Sequence, residues 1–136
     1  MNEIYTKKNL KEAFIKESSS ANRYLYFAKI AAFEGYSEVS QLFQDFAEIN
    51  ICNAHGNLDF LKNYGDPDNN LPIGETNHNL KHAVFSETSE HNEFYPMMAS
   101  IAHKEGYPDI ANWFESLAKL KKTYLDKLEE ILNRND

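Results

Sequence analysis

Set against itself at an offset of 71 residues, this chain repeats. Tyr24 meets Tyr95, Ala28 meets Ala99, Ile30-Ala31 meets Ile101-Ala102, Glu34-Gly35-Tyr36 meets Glu105-Gly106-Tyr107, Phe43 meets Phe114 and Ala47 meets Ala118. Nine of the thirty pairs from residue 24 to 53 are identical. Each copy carries two helix-period stretches around a Gly-containing turn, so the repeating unit is a helical hairpin. Two such hairpins bury their apolar faces as a four-helix bundle. The expected fold class is all-α, in one domain spanning residues 1–136.

Apolar spacing places the helices. Leu10, Phe14, Glu17, Tyr24, Phe27 or Ala28, and Ala31 mark a first helix from about residue 7 to 34, with Gly35 as its C-terminal cap. Ser37 is the expected cap of a second helix, striped Val39, Leu42, Phe43, Phe46, Asn50, Asn53, Asn57 and Leu61, which Gly65 and Pro67 stop. Thr76 is the expected cap of a third, striped Leu80, Val84, Glu87, Glu90 or His91, Phe94, Met98 and Ile101. Pro108 opens the fourth, striped Ile110, Phe114, Leu117, Lys121, Tyr124, Leu128 and Leu132. The stretch "NYGDPDNNLPIGET" between the second and third helices is long enough to cross a bundle. Pro96 falls inside the third helix, where it removes a backbone hydrogen bond and favours a kink or bulge. That accounts for Glu87 and Glu90 lying on either side of Thr88, the residue the 71-residue offset pairs with Glu17.

The formal net charge of −7 excludes nucleic acid and anionic membrane as main partners, because both need clustered Lys and Arg. A lone cysteine, Cys52, leaves no internal disulfide and no Cys-x-x-Cys motif. The N-terminal residues mix charge throughout, and no run of 18 apolar residues occurs. These features set the expectation of a soluble, cytoplasmic protein.

Seven polar residues interrupt the apolar stripes near mid-helix: Glu17, Asn50, Asn53, Glu87, Glu90, Lys121 and Tyr124. Three carboxylates at matching depth need cations, protons or a metal, because an unpartnered buried charge costs several kcal/mol.

The stretches "NLKEAFIKESSSANRYLYFAKIAAFEGY" at 9–36 and "SETSEHNEFYPMMASIAHKEGYPDIANWF" at 86–114 resemble rubrerythrins, of the ferritin-like superfamily, and the resemblance covers nearly the whole chain. It implies a ferritin-like four-helix bundle with a long connection between the second and third helices. It also implies a peroxide-reducing diiron centre held by a Glu of the first helix, a Glu-x-x-Glu of the third and a Glu-x-x-His on each of the other two. Glu17 matches the first ligand, and Glu87 and Glu90 match the pair. Tyr24 and Tyr95 match tyrosines that hydrogen-bond the ligand carboxylates. The remaining motifs read Asn50-x-x-Asn53 and Lys121-x-x-Tyr124, and the 71-residue offset pairs Asn50 with Lys121 and Asn53 with Tyr124.

Neutral amides bind iron weakly, and a charged Lys121 has no lone pair and repels a cation. The substitutions therefore predict a metal-free polar core. In it Lys121 pairs with Glu17, Glu87 or Glu90, and the amides donate to the remaining carboxylate oxygens. The expected role is non-catalytic, in binding or structure. Two rival readings have Lys121 reaching past the core to water, or pointing away from a surviving iron site, mononuclear or dinuclear. The latter would make the chain a non-haem iron oxidoreductase acting on peroxide or in oxidative-stress protection, with an external electron donor. A homodimer is implied by the resemblance, and the long connection permits one with exchanged hairpins. His78 and His82, spaced i, i+4, read as solvated helix residues rather than a metal site. His55 and Cys52 fall off the Asn50/Asn53 face, and Cys52 is expected to be a small packing residue.

Overall fold

A computed structural model of the chain describes residues 3–66 and 69–134. The described residues form helices and connections, with no strand among them: α1 (Glu3–Phe33), α2 (Ser37–Leu61), α3 (Thr76–Ser89), a π-helical turn (Glu90–Phe94), α4 (Tyr95–Lys104) and α5 (Pro108–Arg134). None of these helices is long and apolar enough to cross a membrane. Two compact units divide the chain between Gly74 and Glu75. One is the hairpin of α1 and α2, and the other is formed by α3, the π turn, α4 and α5.

Each hairpin closes on small residues. In the first, the buried positions are Ala21, Ala28 and Ala31 on α1 and Ser40, Ala47, Ala54 and Leu61 on α2. In the second they are Ala99 and Ala102 on α4 and Ala111, Ala118 and Leu125 on α5. The spacing of seven along α2 and α5 keeps one narrow seam facing the partner helix, as in an antiparallel coiled coil. A methyl group at most of these contacts lets the backbones approach closely. Ser40 uses that closeness to donate its hydroxyl to the Ala28 carbonyl at 2.8 Å. Apart from Leu61 and Leu125, the deepest burial thus falls on alanines rather than on the large apolar residues of the stripes. Phe27, Val39, Leu42 and Phe46 expose 40–50 % of their surface. They belong to the second face of the hairpin, which two helices cannot cover by themselves.

The turns within the hairpins match. Gly35 and Gly106 adopt the left-handed conformation, φ 88° and 86°. Tyr36 N–H reaches Ala31 O and Tyr107 N–H reaches Ala102 O, both at 2.8 Å, the C-terminal motif that Gly at this position permits. The expected caps are displaced by one residue. Tyr36 and Glu75 occupy the N-cap positions of α2 and α3, with no side-chain cap bond, while Ser37 and Thr76 are already helical. The carbonyls of Tyr36 and Glu75 accept the first helical bonds, from Ser40 and Asn79, so the helices start one residue earlier than Ser and Thr caps would impose. The first helix begins at Glu3, earlier than the apolar spacing predicts. Gly65 follows α2 at φ 101°, whereas Pro67, the other expected stop, lies outside the described residues.

The π turn revises the repeat. Pro96 has no N–H, and its ring crowds the carbonyl four residues back, so the helix widens just before it. Tyr95 N–H bonds Glu90 O, five residues back. A π turn is one residue longer than the α turn it replaces, so upstream counterparts must be read at an offset of 70. At that offset Thr6, Asn9, Leu10, Lys11, Ala13, Glu17, Ser19 and Asn22 meet identical residues at 76, 79, 80, 81, 83, 87, 89 and 92. Glu17 therefore corresponds to Glu87, and the pairing with Thr88 is corrected. We expect Ala47→Leu, which overfills the seam, to lower the unfolding free energy by about 1–3 kcal/mol in urea denaturation. Ala32→Leu, at an exposed position of α1, should stay within about 0.5 kcal/mol of the parent.

Candidate functional site

The polar residues of the stripes gather into one cluster on each hairpin. On the first, Glu17 of α1 is half-buried opposite α2, where Asn50 and Asn53 lie three residues apart on one face. Asn50 donates its amide to Glu17 Oε2 at 2.8 Å, and Asn53 donates to Glu17 Oε1 at 3.0 Å. Both carboxylate oxygens are thus engaged by neutral donors. Asn50 Oδ1 is out of contact with solvent and accepts no hydrogen bond. Two turns along α1 from Glu17, Tyr24 stacks on Phe43 with ring centres 5.7 Å apart and meets Phe46 edge-on at 5.6 Å.

On the second hairpin, Glu87 and Glu90 sit on successive turns and face Lys121 of α5. The Lys121 ammonium lies 3.3 Å from Glu87 Oε2 and 3.6 Å from Glu90 Oε1, with the three side chains 16–30 % exposed. Glu87 Oε2 makes no well-directed hydrogen bond, so its contact with Lys121 is an ion pair. Tyr124, one turn along α5, presents its ring to the same ammonium at 5.4 Å. Tyr95 stacks on Phe114 at 6.3 Å, the repeat counterpart of the Tyr24–Phe43 pair. Burial pulls Lys121 toward its neutral form, but Glu90 and Glu87, helped by Tyr95, outweigh it and raise the pKa above the ordinary 10.5.

The fold positions these groups through the seam. Ala47 precedes Asn50 by three residues and Ala118 precedes Lys121 by three, so each polar residue sits one turn beyond a tight contact. Cys52 is exposed on the outward face of α2, about 200° around the axis from Asn50, which corrects the expectation that it packs. Among the described residues no three His, Cys, Asp or Glu side chains gather as a metal-holding group, and this includes His78 and His82. His91 is a contributor that the apolar stripe left undecided. Its Nδ1 lies 2.8 Å from the Ala118 carbonyl, across from the π turn. The offset of 70, which sets His91 against the seam residue Ala21, is the sequence signal that singles it out.

The family model for rubrerythrin matches residues 8–132. The chain belongs to the rubrerythrin family. Its fold is accordingly all-α, the ferritin-like four-helix bundle of rubrerythrins. The rubrerythrin of Nitratidesulfovibrio vulgaris is 36% identical over 135 residues, covering 93% of this chain and 70% of that protein. That of Porphyromonas gingivalis is 34% identical over 120 residues, covering 85% and 60%, and that of Clostridium perfringens 32% over 136 residues, covering 93% and 69%. The two irons implied by the rubrerythrin resemblance need anionic oxygens with free lone pairs and imidazole nitrogens. Here amide N–H groups occupy both oxygens of Glu17, and an ammonium stands between Glu87 and Glu90. In this arrangement the residues do not fit a diiron centre.

A raised Lys121 pKa means stability that is fully present below the unfolded value and lost as pH rises through the higher folded value. Urea unfolding across about pH 9–12 should therefore show the stability gap between the parent and Lys121→Met shrinking above about pH 10.5. Lys122, raised by exposed Asp126, is the control, and Lys122→Met should give no comparable gap at neutral pH.

Proposed function

We propose that this rubrerythrin-family bundle is a metal-free form in which protein donors stand where the family places iron, and that it serves a non-catalytic binding or structural role. The observation that carries this reading is the Lys121 ammonium lodged within 3.3 Å of Glu87 and 3.6 Å of Glu90. A cation already offsets one of the two charges of the Glu-x-x-Glu pair, and a metal ion would have to displace it against like-charge repulsion. The amide pair does the corresponding work at Glu17 without adding charge.

Anaerobic loading with ferrous iron, gel filtration and metal analysis test the proposal. The parent should retain no stoichiometric iron. A variant combining Asn50→Glu, Asn53→His, Lys121→Glu and Tyr124→His should recover iron binding. Two irons per parent chain would overturn the reading.

A second reading, an oxidoreductase with an altered iron site, draws on three retained carboxylates and on the buried, unpartnered Asn50 Oδ1. It requires an external electron donor, and peroxide turnover by the iron-treated parent would establish it. A homodimer and a cytoplasmic location belong to the first reading. The partly exposed Phe27, Leu42 and Phe46 support the dimer, and it should appear as twice the chain mass of 15.7 kDa in sedimentation equilibrium.

A further inference from the structure

The seam of the second hairpin breaks its own rule at one place. Where α1 puts Ala21, the offset of 70 puts His91, and an imidazole does not fit a contact spaced for a methyl group. The chain accommodates it in the π turn Glu90–Phe94, whose wider spacing accompanies the inserted residue. There the His91 Nδ1 meets the Ala118 carbonyl at 2.8 Å. A carbonyl can only accept, so Nδ1 carries the proton. The oxygen has a second lone pair for this bond beside its helical one. The preceding residue, Glu90, reaches Lys121 from the same turn, and Ala118 lies one helical turn before Lys121. Two consecutive residues of the π turn thus grip one turn of α5, one through its backbone and one through its ammonium.

We infer that His91 is the positioning residue of the Lys121 cluster: its bond to the Ala118 carbonyl pins the π turn on α5 and so holds Glu87 and Glu90 within reach of the ammonium. Closing the π turn to an α turn would rotate everything upstream by about 100° about the helix axis and carry Glu87 away from α5. The inference rests on the reading of Lys121 with Glu87 and Glu90 as one polar cluster.

A double-mutant cycle between Lys121→Met and Glu87→Gln, read by urea unfolding, is measured in the parent and in H91A, H91N and H91Q backgrounds. Asn places its amide nitrogen near the Nδ1 position, whereas Gln carries it one bond further. The coupling factor should drop several-fold in H91A, return in H91N and stay low in H91Q. Coupling unchanged in H91A, or restored equally by Gln, overturns the inference and leaves the cluster standing. Absence of coupling in the parent removes the cluster itself, and the inference with it. If H91A does not fold, the comparison of H91N with H91Q decides. Nitrogen-15 NMR of the parent adds a direct reading: neutral His91 should be protonated at Nδ1 and bare at Nε2, and the opposite tautomer overturns the inference.

Discussion

Close approach of paired helices is the constraint on which the other features rest. Ala28, Ala31, Ala47 and Ala54 in one hairpin, and Ala99, Ala102, Ala111 and Ala118 in the other, leave no room for larger side chains between the backbones. The short polar side chains of Asn50 and Asn53 can then span to Glu17, and the longer Lys121 can fold back between two glutamates. A wider seam of leucines would bury more apolar area but would hold these groups further apart. The aromatic pairs Tyr24–Phe43 and Tyr95–Phe114 recur at equivalent places in the two units.

The two hairpins answer one electrostatic demand differently. At Glu17 the carboxylate is met by dipoles, since amide hydrogens point at both of its oxygens. At Glu87 and Glu90 two like charges lie close together, and dipoles alone would not offset their repulsion. An ammonium does, with the Tyr124 ring adding its negative face. The repeat makes the comparison direct, because Asn50 and Lys121 occupy equivalent places on equivalent helices.

Helix content and the hairpin repeat were legible because apolar spacing and Gly turns are local signals, and Gly35 and Gly106 adopt the backbone their positions suggest. The alanine seam was less visible. Alanine contributes little to an apolar stripe, and the eye follows Phe43 and Phe46 instead. The polar positions were readable as exceptions, but the sequence left open which carboxylate Lys121 takes. Side-chain reach within one hairpin decides it in favour of Glu87 and Glu90. A single offset along the whole repeat hides the one-residue insertion. A π turn is a local change in helical pitch, and only the change of offset upstream of Tyr95 betrays it.

Each cluster is also complete within its own hairpin, and that bears on how the chain is made. Glu17 is 33 and 36 residues from its two amide donors, and every partner of that cluster precedes residue 54. A nascent chain can therefore satisfy its first carboxylate before the second hairpin has been synthesised. A carboxylate held by ligation to a shared ion would stay uncompensated until the whole chain and the ion had arrived. In this protein the order of synthesis and the order of charge compensation run in the same direction.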